Sequence, residues 1–483
     1  MHMSLTHRHK LLSAFALLSG PLVFLLFYLI APPPSLPLTA WHTAGVTLWM
    51  ALWWITGILP LAITALLPIL LFPLLNIASI RETTAPFANP VIFLFMGGFI
   101  LSLAMQRWNL HRRLALHLLY RMKGTTWRII WGFAGTTALL SMWISNTATV
   151  LMLLPLALSV IEWHASTASP LSETFPKVLL LSIAYAASIG GMATLIGTPP
   201  NALLASFMLE EYQVEISFAQ WFLFAFPLVI VALPLALFIL TRISFRLPDA
   251  PVGKELAVIA EELRQLGPLT PQERWVASIF TAVALLWMVR PLLGIQGLTD
   301  TGIAIGGALT LFLVPVDLKK REFLMNWEWM RKLPWDVLIL FGGGLSLASA
   351  IQHTGLAQWL GEQAMTLTQW PFPLILLLIT ALIVLLTELT SNTATAAAFL
   401  PIAASIAVGL QYHPLMLSVP VALGSSCAFM LPVATPPNAI VYGSNLLRIQ
   451  DMIKAGLWLN LLFIGLITLY TLWMLPLIFP IKP

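Results

Sequence analysis

Charge is scarce in this chain. Only 9% of its 483 residues are Asp, Glu, Lys or Arg, and 59% are hydrophobic. A soluble domain carries about 25% charged residues, and a soluble chain could not bury this much apolar side chain. Apolar runs of about 20 residues, the length that crosses a hydrocarbon core, recur along the sequence. The chain therefore reads as an integral membrane protein. Cysteine is nearly absent as well. The single Cys427 excludes an internal disulfide framework, and its apolar, small-residue surroundings read as packing. The formal charge of +5 does not point to nucleic acid, because the basic residues lie between apolar segments, where they set topology. At the N-terminus, Arg8 and Lys10 precede an apolar run too long for a signal-peptide core, with no cleavage site, so residues 12–31 are expected to be a retained span.

Eleven spans are expected, at about 12–31, 40–56, 57–76, 88–118, 177–210, 219–241, 274–293, 300–316, 335–365, 413–446 and 455–479. Two further apolar stretches, 129–161 and 371–411, are each about twice one crossing and polar at the middle. Lys and Arg mark cytoplasmic loops, and they cluster at 107–128, 242–274, 317–332 and Arg448 to Lys454. The alternate loops lack them: Glu210, Glu211 and Glu215 have no basic neighbour in sequence, and 353–371 holds no Lys or Arg. If both double-length stretches enter and leave on one side, all four basic groups fall inside. The N-terminus is then cytoplasmic and the C-terminus external. A single crossing in either stretch would invert every later loop. Two full spans each would give the same loop orientation, so charge does not choose between them and a re-entrant hairpin.

The sequence repeats itself. Phe95-Met96-Gly97-Gly98 through Gln106 resembles Phe341-Gly342-Gly343-Gly344 through Gln352, and Ser145-Asn146-Thr147-Ala148-Thr149 resembles Ser391-Asn392-Thr393-Ala394-Thr395, both at an offset of 246 residues. Thr198-Pro199-Pro200-Asn201 recurs as Thr435-Pro436-Pro437-Asn438 at an offset of 237, so one connection in the second copy is shorter. Each unit, roughly 40–241 and 274–479, holds five crossings, and an odd number turns the second copy upside down. Inverted repeats with broken helices and a midplane substrate site are a recurring transporter plan.

The repeated motifs carry anion and cation chemistry. Ser-Asn-Thr inside an apolar stretch is costly unless its polar groups find partners. Where a hairpin turns, its second helix begins, offering free N–H groups and a partial positive charge to a carboxylate. Two such tips suit a molecule with two carboxylates. In Thr-Pro-Pro-Asn the prolines break the helix and free carbonyls that can ligate a cation. Gly197 and Ala434, just before each Thr, permit close approach. Ser141 and Thr387 precede Ser145 and Ser391 by four residues, which puts both hydroxyls of a copy on one helix face. These are neutral, hard oxygen ligands suited to Na⁺. The competing reading, helix–helix glue, explains one motif well and a paired, symmetric set poorly. Glu388, the acid inside an apolar stretch, reads as a buttress beside the site, because Met142 and Trp143 stand near the matching position. His111, His117, His164 and His353 fall near span ends and read as interface residues. The Gly97-Gly98 and Gly343-Gly344 pairs read as close helix packing, and the tryptophans mostly as interface anchors.

With these four motifs, and Asn89-Pro90-Val91-Ile92-Phe93-Leu94-Phe95 before the first basic cluster, nearly the whole chain resembles the divalent anion/sodium symporter family. The resemblance implies an all-α membrane protein of about eleven transmembrane helices with two re-entrant hairpins and inverted repeats, working as an elevator in a homodimer. Scaffold parts would span 1–125 and 246–367 (the latter with a cytoplasmic loop), and transport parts 126–245 and 368–483. One sodium site would use Ser141, Ser145, Asn146 and the Gly197 carbonyl; the other Thr387, Thr390, Asn392 and the Ala434 carbonyl. Substrate carboxylates would meet Asn146, Thr147, Thr198, Ser391, Asn392, Thr393 and Thr435. Members that exchange anions without sodium often carry a basic residue just after the motif; Ala148-Thr149-Val150 and Ala394-Thr395-Ala396 are neutral here. The expectation is sodium-coupled transport of a C4-type dicarboxylate such as succinate, fumarate or malate across the plasma (inner) membrane. An obligate exchanger and a citrate or sulfate carrier are the rivals. An intramembrane hydrolase is disfavoured, since neither Ser145 nor Ser391 has a His at helical spacing.

This topology is testable by labelling. With Cys427 removed, Lys123→Cys should react with an impermeant thiol reagent from the cytoplasmic side and Glu211→Cys from the outside. Reaction of both from one side would overturn the hairpin assignment.

Overall fold

The computed structural model describes residues 5–122, 125–166, 174–249 and 257–479, apart from the side chains of 5–12, 163–166 and 257–258. Lys123 and Lys254, and the side chains of Arg8, Lys10 and His164, lie outside these residues. The described chain is helical throughout, save for a two-stranded ribbon, Pro315–Asp317 against Glu322–Phe323. Among the described residues, seven helices are long and apolar enough to cross a membrane, and shorter apolar helices accompany them.

Both double-length stretches are helical hairpins. Thr126–Ser141 turns into Asn146–Ser166, and Phe372–Thr387 turns into Asn392–Gly409. The first arms have 16 residues each, about 24 Å at 1.5 Å per residue, short of the hydrocarbon thickness. Their turns meet inside the molecule at one cavity.

The other expected spans appear with corrections of detail. The stretch 57–76 is two short helices, Leu61–Thr64 and Leu67–Leu74. The stretch 88–118 divides into Pro90–Arg107 and Leu110–Arg121, and 335–365 into Trp335–His353 and Leu356–Ala364. These two breaks correspond. Asn109 (φ 53°) and Gly355 (φ 89°), again 246 apart, both take the left-handed conformation that stops one helix and starts the next. The stretches 177–210 and 413–446 are each broken, into Thr174–Gly191 with Pro199–Tyr212 and Leu415–Ser425 with Pro436–Tyr442.

The paired glycines pack helices backbone to backbone. A Cβ on Gly97 would lie 2.7 Å from the backbone of Ala304, and one on Gly343 would lie 2.2 Å from the Ala65 carbonyl. The first copy's glycine helix thus rests on the helix Asp300–Leu313, and the second copy's on the turn between Leu61–Thr64 and Leu67–Leu74, which interlocks the two.

Ion pairs gather the basic segments at one end. Arg107 pairs with Glu322 at 3.1 Å, Arg112 with Glu262, and Arg113 with Glu273 at 2.7 Å. Arg113 also donates to the carbonyls of Gly267 and Leu266, so the first basic cluster clasps the loop that carries the second. The opposite end contains a basic residue that sequence adjacency hid. Arg290 reaches Glu215 at 2.6 Å and Asp300 at 2.7 Å, so the 210–215 acids do have a cationic neighbour in space. His111 is buried against the Met105 carbonyl rather than solvated. Trp54, Trp221 and Trp287 are core residues, their indole N–H groups donating to Leu61, Met192 and Asp300 carbonyls. Cys427 is buried, with its thiol on the Leu423 carbonyl.

Close glycine packing makes a paired prediction. Gly343→Ala drives a Cβ into backbone and should destabilise the protein by about 1–3 kcal/mol, as overpacking does. Gly135→Ala, with nothing within 4 Å, should not lower the melting temperature in detergent. Equal melting temperatures for both variants would contradict the contact.

Candidate functional site

Each hairpin helix ends where its own turn needs it. Thr126–Ser141 stops at Met142, and Ser145 opens the return arm as a cap, its hydroxyl accepting from the Ala148 N–H at 3.3 Å. Asn146 and Asn392 are the first residues of the two return arms, and both arms begin at the cavity. The first N–H groups of a helix have no intrahelical acceptor, so two partially positive helix ends face the same space.

Behind each tip three oxygens converge on one proton. The Ser141 hydroxyl lies against Asn146 Oδ1 and 2.8 Å from the Ala187 carbonyl. In the second copy the Thr387 hydroxyl lies 3.0 Å from Asn392 Oδ1 and 2.7 Å from the Ser425 carbonyl. A hydroxyl has one hydrogen, so it satisfies one acceptor of each pair and leaves an oxygen-rich point. Ser141 and Thr387 are both fully buried. The four-residue spacing had put Ser141 on one helix face with Ser145, and Thr387 with Ser391; instead the first arms end at Ser141 and Thr387, Ser145 caps the return arm, and the two buried hydroxyls meet Asn146 and Asn392 across the turn. The carbonyls of Ala187 and Ser425 were not foreseen. They end the first halves of the broken helices and carry no side-chain signal.

The Thr-Pro-Pro-Asn motifs start the second halves. Thr198 and Thr435 are the caps, and Thr435 accepts from the Asn438 N–H at 3.2 Å while Thr198 makes no such bond. The motif asparagines are organisers of backbone. Asn201 Nδ2 donates to the carbonyls of Gly191, Met192 and Thr194, and Asn438 Nδ2 to those of Ala428 and Leu431. Both are fully buried. Gly197 bears out the close approach expected of it: a Cβ there would lie 2.4 Å from the Gly191 carbonyl. A Cβ on Gly191 would in turn lie 2.8 Å from Asn146 Oδ1 and 3.2 Å from the Gly197 carbonyl, so these three residues meet. Ala434 is buried beside the second tip and lines the cavity. The Thr390 side chain turns aside to the Leu386 carbonyl and Thr395, which leaves its backbone as the part that could reach a cation.

Glu388 is the buttress the sequence suggested. Its carboxylate accepts from the N–H groups of Phe429, Met430 and Leu431 at 2.7–3.1 Å and from Asn460 at 2.8 Å. Tyr185, on the first broken helix, donates to the Phe429 carbonyl at 2.7 Å and joins the two copies there.

The cavity between the tips has a volume of about 1010 Å³. Ser145, Asn146, Thr147, Gly197 and Thr198 line it from the first copy, and Thr390, Ser391, Asn392, Thr393, Ala434 and Thr435 from the second. Ser141 and Thr387 stand one layer behind. The lining also includes Trp54, Ser102, Lys332 and Asp336, which no motif flagged, and Gln106, the end of the first glycine repeat. Lys332, whose ammonium sits 3.6 Å over the Trp329 ring, adds a basic residue to a cavity whose motifs are neutral. It comes from the basic end and from no repeated motif, which is why the motif search passed over it.

A solved structure of the YdaH transporter of Alcanivorax borkumensis aligns with a TM-score of 0.57 at 16% identity, covering 89% of this chain and 98% of that one. That of MtrF of Neisseria gonorrhoeae also gives 0.57 at 16%, covering 95% and 97%. At this identity the likeness speaks for the fold. In sequence, the sodium-dependent dicarboxylate transporter SdcS of Staphylococcus aureus (strain USA300) is 42% identical over 475 residues, 96% of this chain and 91% of the relative. The protein of the same name from Staphylococcus saprophyticus is 42% identical over 474 residues, 95% and 91%. Residues 11–479 match the sodium:sulfate symporter transmembrane region, and the chain belongs to that family of membrane transporters.

Proposed function

We propose that the chain is a secondary transporter that carries a C4-type dicarboxylate, such as succinate, fumarate or malate, together with Na⁺. The observation that carries this reading is the twinned oxygen cluster, Ser141–Asn146–Ala187 and Thr387–Asn392–Ser425, behind two helix N-termini that share one cavity. The names of the Staphylococcus relatives support both the coupling ion and the substrate class.

The cations are assigned to Ser141, Ser145, Asn146 and the Gly197 carbonyl, and to Thr387, Thr390, Asn392 and the Ala434 carbonyl, with Ala187 and Ser425 carbonyls added to these sets. One carboxylate is assigned to Asn146, Thr147 and Thr198, the other to Ser391, Asn392, Thr393 and Thr435. Electrostatics gives the reason for coupling. A dianion brings two charges into a low-dielectric site, and helix ends offer only about half a charge each. Lys332 lines the same cavity with its ammonium over the Trp329 ring, and one such charge does not balance a dianion, so cations are assigned to enter with the substrate. Neutral oxygens suit Na⁺. A proton would want a titratable acid beside the Ser-Asn-Thr motif of both copies, and in these two stretches only the second has one next to the motif, Glu388.

The transport cycle follows from the same parts. Segments 126–245 and 368–483 are assigned to a moving unit and 1–125 and 246–367 to a scaffold, within a homodimer working as an elevator. Lys332, Pro334 and Asp336 line the cavity and belong to the basic, cytoplasmic end, so this conformation is read as inward-facing, with the C-terminus external. An exchanger with the same fold is the second reading.

Two experiments test these assignments. In proteoliposomes at fixed pH, succinate uptake should fall away as external sodium is replaced by choline. Undiminished uptake that needs internal dicarboxylate would make the protein an exchanger. Thr147→Ala or Thr393→Ala removes one charge-assisted hydrogen bond, worth about 1.5–3 kcal/mol, and should weaken apparent succinate affinity roughly ten-fold or more. Butyrate, with one carboxylate, should be a poor substrate; uptake equal to that of succinate would refute the two-tip arrangement.

A further inference from the structure

One short stretch, 210–218, ties the moving unit assigned above to the scaffold at the external end. It joins Pro199–Tyr212 to Phe218–Phe238, both in the moving unit. Where the first helix closes, Glu210 Oε2 accepts from Asn89 Nδ2 at 3.0 Å, and the Tyr212 hydroxyl accepts from Gln352 Nε2 at 2.6 Å. Glu215 pairs with Arg290 at 2.6 Å. Where the second helix opens, the Phe218 N–H donates to Asp300 at 2.8 Å, and the Phe218 ring stacks on Trp287 at 4.6 Å. Asn89, Gln352, Arg290, Asp300 and Trp287 all fall in the scaffold segments.

The first N–H groups of a helix have no intrahelical acceptor. Ser217 caps Phe218–Phe238 at Gln220, and Asp300 of the other unit takes the Phe218 N–H at the positive helix end. Asp300 is buried and is held in turn by Arg290 at 2.7 Å, so one guanidinium bridges an acid of each unit.

The matching connection of the second copy bonds differently. It joins Pro436–Tyr442 to Ile449–Ile478 at the cytoplasmic end. Its ion pair, Lys177 with Asp451 at 3.0 Å, lies wholly within the moving unit. Asp451 also accepts from the Arg448 N–H, and the Ser444 hydroxyl donates to the Val441 carbonyl. The run there is Gly443-Ser444-Asn445-Leu446-Leu447-Arg448, without the acids of the external stretch. In this conformation, then, the external connection is docked on the scaffold and the cytoplasmic one is bonded to its own unit.

We propose that Glu210, Tyr212 and Glu215 form a latch that holds the moving unit in the inward-facing position and opens each time the unit travels outward. The inference rests on the two-unit, elevator reading above. Outward travel carries 210–218 away from Asn89, Gln352 and Arg290, and short, directional hydrogen bonds do not stretch with such a motion. The cytoplasmic connection has no matching set of acids to dock when the outward position is reached, so the resting balance leans inward.

Two experiments test the latch, both in protein carrying Cys427→Ser. In the first, Tyr212→Cys and Gln352→Cys are joined by a short bifunctional methanethiosulfonate. The joined protein should lose succinate uptake and regain it on reduction, while either single variant treated alike keeps it. Uptake that continues through the joined pair would show that 210–218 does not part from the scaffold, and would overturn the proposal. In the second, Val433→Cys reports the position of the moving unit, because Val433 is exposed in the cavity. Adding Glu210→Ala, Tyr212→Phe and Glu215→Ala together should raise its labelling by an impermeant thiol reagent from outside, relative to labelling from the cytoplasmic side, by about ten-fold, the scale of one charge-assisted hydrogen bond with weaker exposed contacts. A stretch that only supports the fold would lower the amount of folded protein and leave that ratio unchanged, which would also overturn the latch. A Val433→Cys protein that never reacts from outside while uptake continues would instead overturn the elevator reading itself.

Discussion

Buried, unwound backbone is the constraint on which this molecule is built. A peptide group without a partner in an apolar surround costs several kcal/mol, and both broken helices expose a full turn of such groups. The Asn201 and Asn438 amides take up carbonyls on each turn, and Glu388 takes up the N–H groups of the second. Once those groups are satisfied, the carbonyls of Ala187 and Ser425 stay beside the hairpin hydroxyls with one proton between two acceptors. The site is thus what remains after the unwound turns have been paired.

The neutrality of that remainder shapes its chemistry. Hydroxyl, amide and carbonyl oxygens give a place for a hard cation, and the two return arms give helix ends for carboxylates. The motifs carry no full positive charge of their own, and Lys332 is a basic residue lining the same cavity of about 1010 Å³. Glu388 breaks the near-symmetry of the two halves by placing one anion beside one of two otherwise matching clusters.

Each copy forms its own oxygen cluster, and close contacts join the two copies. Gly97 lies on Ala304 and Gly343 on Ala65, each a contact from one copy to the other. Tyr185 of the first broken helix ends on Phe429 of the second turn. The glycine contacts have no room for even a methyl group.

Much of this was legible in the amino-acid order. Low charge and long apolar runs determined a membrane protein, since no water-soluble arrangement could bury them. The polar centres at Ser145-Asn146-Thr147 and Ser391-Asn392-Thr393 revealed the hairpin turns, and the 246- and 237-residue offsets revealed the duplication. The resemblance grouped Ser141 with Asn146 and Thr387 with Asn392, and the contacts form across the hairpin turns, where helical spacing from Ser141 to Ser145 and from Thr387 to Ser391 no longer applies. Tertiary structure decided whatever depends on distant backbone. The Ala187 and Ser425 carbonyls, Lys332 in the cavity lining and Arg290 beside Glu215 carry no pattern in sequence, because a carbonyl is common to every residue and a lone cation is distinguished only by what it faces. Glu388 shows the division within one side chain. Its setting in an apolar run marked it as a buttress, but that its partners would be three N–H groups and an amide, all donors to an anion, was fixed only when the 429–431 turn and Asn460 folded around it.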